Sequence, residues 1–403
     1  MKNPLISLLF IFTISIVNAQ IVNIPDPIFK NVLANTLCVD FDNDGVADLS
    51  VDLNGDDEIQ VSEAEFVNHL ILDNQNINSI EGIEAFTNLQ NLRCSNNNLV
   101  DANLGNLTNL KQAILLSNAI ENINISNSSN LEILGLSFNN ISNIDLSDAT
   151  NLKILTISNN QLINLNLSNN LSLEMLQAWG NNITIFDISN HPNIISVDVD
   201  DNNITDVNVE NCSSLSGFSL SGNPIRQVDM TTNISLLQFV CIDTLLEGVL
   251  DLSQNINLEQ LAAENTQLSA IDISNGNNEN ITVMRLTDSP NLTCVQVDRD
   301  FGSVPNFWEY DSQTLFSENC SLGITEVALQ EAVILYPNPA SNVVTIKTVL
   351  PIDSIDLFDS HGKKISTEFV ENKTIDISNL ASGVYFLKII SGNDILHKKL
   401  LIE

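Results

Sequence analysis

The chain has 403 residues, of which 15 are basic and 50 acidic, for a formal charge of −35. Residues 20–330 carry 7 of the basic and 41 of the acidic side chains, so the excess lies in the body of the chain and not in its last 73 residues. A surface this negative repels phosphate backbones and anionic headgroups, which excludes nucleic acid and leaves cations, basic partners or neutral ligands such as glycans.

Residues 1–19 read as a secretory signal. Lys2 is the positive start, Leu5 to Val17 the apolar run, and Val17-Asn18-Ala19 a small-residue cleavage site before Gln20. That run is too short to span a bilayer, and no other segment is long and apolar enough to do so. Export makes disulfides possible for the six cysteines at 38, 94, 212, 241, 294 and 320.

Residues 20–66 are acidic and lack the pattern that follows, and they read as an N-terminal cap. Two stretches within them have calcium-loop spacing. Asp52, Asn54, Asp56, Glu58, Gln60 and Glu63 fall at positions 1, 3, 5, 7, 9 and 12 of an EF-type loop, with Asp57 where glycine is usual. Just before them, Asp40, Asp42 and Asp44, then Gly45 and Asp48, open the same pattern, but Val51 stands at the closing position. Oxygen ligands this dense repel one another without a cation, so a structural calcium ion is expected here. A solvated acidic turn is the plainer alternative.

From Leu89 one unit repeats: Leu-x-x-Leu-x-Leu-x-x-Asn-x-Ile. Its first position falls at Leu89, Leu110, Leu131, Leu152, Leu173, Ile194, Leu215 and Leu236, always 21 residues apart. Its ninth is Asn97, Asn118, Asn139, Asn160, Asn181, Asn202 and Asn223. Degenerate units begin at Val67, Leu258 and Ile281, which sets the array at 67–291. A fixed period of this length predicts a solenoid in which each unit buries its face only against its neighbours. Alternation in Leu-x-Leu predicts a short strand with both leucines inward, and successive strands form a parallel sheet. The ninth asparagine serves backbone groups left unpaired where the chain turns. The second half of each unit, such as Ile144-Asp145-Leu146-Ser147, alternates again and is expected to be extended, since asparagine and serine disfavour helix interiors.

This array resembles the leucine-rich repeat proteins, specifically the short-repeat type of Bacteroidetes surface proteins and, more distantly, bacterial internalins. The resemblance implies a mainly β solenoid with its sheet on a concave face that binds protein or glycan. Positions 5, 7 and 8 of each unit project from that face. Ile114, Leu116, Phe138 and Trp179 are apolar where a solvated strand is normally polar, and Asp198, Asp200 and Asp201 lie beside them. A contiguous apolar patch marks an interface, whereas aromatics scattered singly carry no message. These seven residues are the candidate ligand site, with the aspartates suited to a cation or a basic partner.

Segment 292–323 carries Phe301, Phe307, Trp308, Tyr310 and Phe316 and is expected to close the array as a C-terminal cap. Cys294 and Cys320 flank the end of the solenoid and are the disulfide candidates. Cys94 and Cys241 occupy an inward leucine position and read as small buried side chains. After a linker at 324–332, residues 333–403 contain short β-like runs, Val343 to Lys347, Ser354 to Asp359, Lys373 to Ile377, Gly383 to Ile390 and His397 to Ile402, which predict a small antiparallel sandwich. Tyr336-Pro337-Asn338-Pro339, Gly383-Val384-Tyr385-Phe386-Leu387-Lys388 and Lys398-Lys399-Leu400-Leu401-Ile402 resemble the C-terminal sorting domain of the type IX secretion system. That resemblance implies delivery across a Gram-negative outer membrane through contact with the secretion machinery, followed by release or surface anchoring.

His69, His191, His361 and His397 form no catalytic constellation with a nucleophile, and neither a phosphate loop nor a His/Cys metal cluster appears. A secreted or surface-displayed binding protein is expected, not an enzyme. A structural envelope or adhesin component acting as an acidic spacer is the alternative.

Overall fold

In the computed structural model the described residues are 20–320 and, in the tail, 333–348, 352, 354–359, 363–365, 369–370, 373–391 and 394–403. The expected signal segment and linker lie outside them. The chain forms two compact units, Met1–Cys320 and Ser321–Glu403.

The first unit is a solenoid built on one twelve-stranded sheet, running from His69–Ile71 to Glu309–Tyr310. Every pairing in it is parallel, and the 21-residue period appears directly as register: Leu134 lies opposite Leu155, Leu155 opposite Leu176, and Leu176 opposite Val197. Eleven of these strands come from the repeats. The twelfth, Glu309–Tyr310, comes from the cap. Positions 1, 4 and 6 point inward; Leu131, Leu134 and Leu136 are fully buried, as are their equivalents along the array. They belong to one continuous core reaching from Val22 to Trp308. Burying each such side chain contributes roughly 1.5–3 kcal/mol, realised only against the units on either side.

The ninth asparagines form the expected interior ladder. Asn160 Oδ1 accepts the Ile141 amide (2.9 Å), while its Nδ2 donates to the carbonyls of Leu136 (3.0 Å) and Ile157 (3.1 Å). Asn139, Asn181, Asn202 and Asn223 repeat this arrangement. Each rung therefore reaches back one unit and ties the bend of its own.

A second ladder, not read from the sequence, runs along the opposite bend. Asn170, Asn233 and Asn255 donate to carbonyls one unit back. His191 and Cys212 occupy the same row. His191 is buried, with Nε2 3.1 Å from the Leu167 carbonyl and Nδ1 2.8 Å from that of Ile188. Its ring faces inward and stands where other units have an asparagine.

The second half of each unit is extended, as expected. Its strands form smaller parallel sheets, including Ile185–Asp187 with Asp206–Asn208 and a four-stranded set from Glu247–Asp251 to Leu315–Ser317. From the second unit to the tenth the extended stretch ends in an Asx turn, in which a side-chain oxygen at residue i accepts the amide of i+2, as in Asp145 with Ser147, Asp187 with Ser189, Asp229 with Thr231 and Asp251 with Ser253.

Both ends are closed. At the N-terminus a helix, Pro27–Asn35, starts from Asp26, whose Oδ1 caps the amides of Ile28 and Phe29. Its Oδ2 accepts from Asn78 and Ser79 in the first repeat, so one buried carboxylate fastens cap to array. Burial raises the Asp26 pKa, but the four amides outweigh it and hold the carboxyl below its ordinary value. At the other end Phe301, Trp308, Tyr310 and Phe316 pack in a chain of ring contacts of 4.9–5.5 Å. Phe307 departs from the expected set and stays exposed. Cys294 and Cys320 are joined by a disulfide across this cap.

The tail unit is a two-sheet antiparallel sandwich. One sheet orders Ile334–Tyr336, Val343–Lys347, Thr374–Asp376 and Phe369–Val370; the other orders Lys364–Ile365, Ser354–Asp359, Gly383–Ser391 and Asp394–Ile402. Val344, Ile346, Leu357, Ile375, Leu387, Ile389 and Leu400 fill the space between them.

Candidate functional site

The solvent side of the twelve-stranded sheet is lined by positions 5, 7 and 8, and each position has its own physics. Position 8 is left-handed in all eleven repeats, from Asn74 through Asn96, Ser117, Phe138 and Asn159 to Asp288. Asparagine, aspartate and glycine tolerate that conformation; a bulky side chain there costs about 1–2 kcal/mol. Ten of the eleven residues are Asn, Asp, Ser or Gly, and the exception is Phe138, at φ 62°. The sequence showed Phe138 as an apolar outlier but not the backbone it sits on, although the residues at every 21st position spell out that preference.

Phe138 is 52% exposed and meets Trp179, two units on, edge to face with ring centroids 6.0 Å apart. The two aromatics are thus brought together. Between their units, at position 7, Ser158 is buried and its Oγ has no hydrogen-bond partner. Gly180, at position 8 beside Trp179, leaves room for Asn159, which a Cβ there would meet at 3.1 Å.

Trp179, expected to be exposed, is half-buried, and so are Ile114 and Leu116, expected to be exposed with it. For the last two the reason is Gly135 on the next strand: a Cβ at that residue would approach Ile114 Cδ1 to 3.0 Å and Leu116 Cδ2 to 3.3 Å. Both side chains lie across the gap the glycine leaves, and this removes much of their apolar surface from solvent.

The three aspartates play different parts. Asp200, at position 7, accepts from Ser219 Oγ (2.6 Å) and the Ser221 amide (2.7 Å), so it serves the sheet. Ser95, Ser137 and Ser221 do the same for the unit after each of them. Asp198 is half-buried and accepts the Asp200 amide, whereas Asp201 is exposed. Burial pushes the Asp198 carboxyl up, with the charge of Asp201 adding to it; burial and then Asp198 do the same to Asp200 against its serine bond. Gly222 supplies the floor on which Asp201 rests, since a Cβ there would collide with the carboxylate.

In the N-terminal cap the two acidic loops differ. Asp40, Asp42 and Asp48 each bring a carboxylate oxygen within 4.8 Å of the others, while Asp44 turns to accept the Val46 amide. In both loops the chain itself occupies carboxylate oxygens: in the first, Asp40 accepts from the Asp44 and Gly45 amides and Asp48 from Phe41, and the second is tied more densely. Asp52 accepts from Gly55, Asp56 and Asp57, and Glu63 accepts from Leu53, Asn54 and Gln60. Asn54 and Gln60 both donate to Asp56, and Glu58 pairs with Lys30 at 2.7 Å. Asp57 takes the left-handed turn, at φ 62°, that glycine would normally supply. No group of three carboxylates converges in this loop among the described residues. Glu63 closes a capping box at Gln60, a role the spacing alone does not distinguish from a metal ligand.

Residues 334–403 match the profile of the secretion system C-terminal sorting domain. Among solved structures, the functional domain of InlJ from Listeria monocytogenes, described as including a cysteine ladder, is 19% identical with a TM-score of 0.50, covering 86% of this chain and 93% of that one. The APL1 leucine-rich repeat domain is 17% identical with a TM-score of 0.50, covering 64% and 73%. These similarities concern the fold. No curated protein matches the chain. The tail marks an exported protein, secreted or displayed at the cell surface by the type IX system, and no described helix is long and apolar enough to cross a membrane.

Proposed function

We propose that this exported leucine-rich-repeat chain, with its type IX sorting domain, is a binding protein and not an enzyme. It engages an extracellular protein or glycan through the sheet face centred on Phe138 and Trp179. One observation carries the reading: at the only repeat where position 8 is not Asn, Asp, Ser or Gly, a large aromatic is held left-handed, exposed and already packed against Trp179. A side chain kept at conformational cost and left half in water stabilises nothing in the fold in proportion, and such outliers gather at functional sites. Trp is also the residue most often found at binding hot spots. The test is retention of candidate extracellular ligands by the full chain and by Phe138→Ala and Trp179→Ala. Both variants should keep the parent melting behaviour and lose capture. Unchanged capture by both removes the assignment and leaves the acidic-spacer alternative.

We further propose that a structural calcium ion in the cap is held by Asp40, Asp42 and Asp48, where the carboxylates approach one another. Elemental analysis of protein dialysed against calcium should find bound metal, and chelator should lower the melting temperature. Metal-free protein with an unchanged melt refutes this.

A further inference from the structure

The face that binds has an electrostatic gap, and the way the fold treats its other carboxylates shows what is missing from it. Near the two ends of the array an acid at position 7 is answered by an arginine at position 5 of the next unit. Asp73 pairs with Arg93 at 2.6 Å, and Glu264 pairs with Arg285 at 2.6 Å. Asp200 stands at the same position 7 in mid-array, but the residue at position 5 of the next unit is Ser219. Among the described residues no ion pair forms at Asp198, Asp200 or Asp201, although three carboxylates crowd one end of a single strand. One unit before them lies Trp179, with Phe138 against it. Beneath this pair the buried Ser158 Oγ has no partner of its own.

An aromatic pair next to two carboxylates that lack a counter-charge is a receptor for a cationic side chain. The ring faces attract an ammonium or guanidinium group, and the carboxylates complete its hydrogen bonds. A neutral glycan would use the rings and leave the carboxylate repulsion uncompensated. We propose that the face formed by Phe138, Trp179, Asp198 and Asp201 takes a lysine- or arginine-bearing peptide segment, its cation seated between the rings and the two carboxylates. This deepens the functional reading above and rests on it. Asp200 is excluded from the contact set because Ser219 and Ser221 already occupy it.

The probe is a terminally blocked decapeptide of alternating lysine and serine, titrated into the full chain by calorimetry at low and physiological salt. Controls are the same peptide with glutamate, and with acetyl-lysine, in place of lysine. The lysine peptide should bind and the controls should not. Trp179→Ala and the double substitution Asp198→Asn with Asp201→Asn should each weaken binding at least tenfold. A charge-matched pair on the other side of the unit, Asp145→Asn with Asp229→Asn, should leave it within twofold. Phe138→Asn restores the residue type that position 8 prefers, so it should raise the melting temperature while weakening the peptide severalfold. No binding of the lysine peptide, or equal weakening by the two aspartate pairs, overturns the proposal. If the lysine peptide fails while a neutral oligosaccharide binds and is lost in Trp179→Ala, the cationic ligand is wrong and the binding face stands. Peptide binding insensitive to both aromatic substitutions overturns the binding face as well.

Discussion

Asn202→Ala in the middle of the array tests the claim that hydrogen bonds inside the bend, as well as leucine burial, hold the repeats together. Asn202 Oδ1 is the partner of the Ile183 amide (3.0 Å), and its Nδ2 donates to the carbonyls of Ala178 (3.0 Å), Val199 (3.1 Å) and Asp200 (3.0 Å). The carbonyls keep other partners, because Asn181 also donates to Ala178, Asn223 to Val199 and the Gly180 amide to Asp200. Only the Ile183 amide is left buried and unpaired, at about 1–3 kcal/mol, and the lost carbonyl bonds add about 1 kcal/mol each for the two hydrogens of the amide group. The expected loss is therefore about 3–5 kcal/mol. With about 2 cal/mol/K of unfolding entropy per residue over an array this long, the melting temperature should fall by roughly 5–8 °C. Asn202→Asp keeps the acceptor but loses both donors and buries a charge, so at neutral pH it should melt lower still. Calorimetric scans of the three proteins decide. A fall of less than about 1 °C in the alanine variant would show that the ladder is spectator to leucine packing.

His191 offers a converse test. The ring faces the Leu167 and Ile188 carbonyls, whereas Asn170 and Asn233 in the same row donate to carbonyls 24 and 21 residues back, so His191→Asn should keep the tie to the preceding unit and hold the melting temperature, and His191→Ala should lower it by an amount worth about 1–3 kcal/mol. Asp26 has a folded pKa below its ordinary value, so its contribution is complete at neutral pH and disappears as pH falls through that lowered value. The melting difference between the parent and Asp26→Asn should be full at pH 7 and close on acidification below about pH 4; a gap that widens in acid contradicts the assignment. Removing the bridge with Cys294→Ala and Cys320→Ala opens a 26-residue separation and should cost about 3–4 kcal/mol, seen as earlier proteolysis within the cap. By contrast, Cys38, Cys94, Cys212 and Cys241 are buried, and burial drives each thiol up, Cys38 to about 12. They should resist aqueous thiol reagents until the chain is unfolded.

The strict period made the solenoid, its inward leucines, the ninth-position asparagines and the solvent-facing positions legible from the residues alone. A parallel strand stacked on copies of itself has one register that keeps every leucine inside, so periodicity and pairing carry the same information. The sandwich tail was legible for a similar reason: alternating runs of five to eight residues separated by turns leave few other ways to bury one face of each. The helix from Pro27 went unread, although an aspartate followed by proline is a helix-start signal. So did the second ladder, whose members Asn170, His191, Cys212 and Asn233 keep the spacing but differ in residue type.

What the sequence could not supply is the competition among neighbours for one atom or one space. Asp200 and Asp201 look alike in a row of letters. Tertiary structure gives Asp200 two serine partners and leaves Asp201 in water. Ile114 and Leu116 read as exposed until the missing side chain of Gly135, on another strand, lets them lie down. Glu63 reads as a ligand until three backbone amides claim its oxygens. The period determined where each residue points, because that depends only on local geometry repeated in register. Which residues stay exposed depends on contacts between units, and the three-dimensional structure decided it, leaving Phe138 and Asp201 in water with Trp179 and Asp198 half-buried.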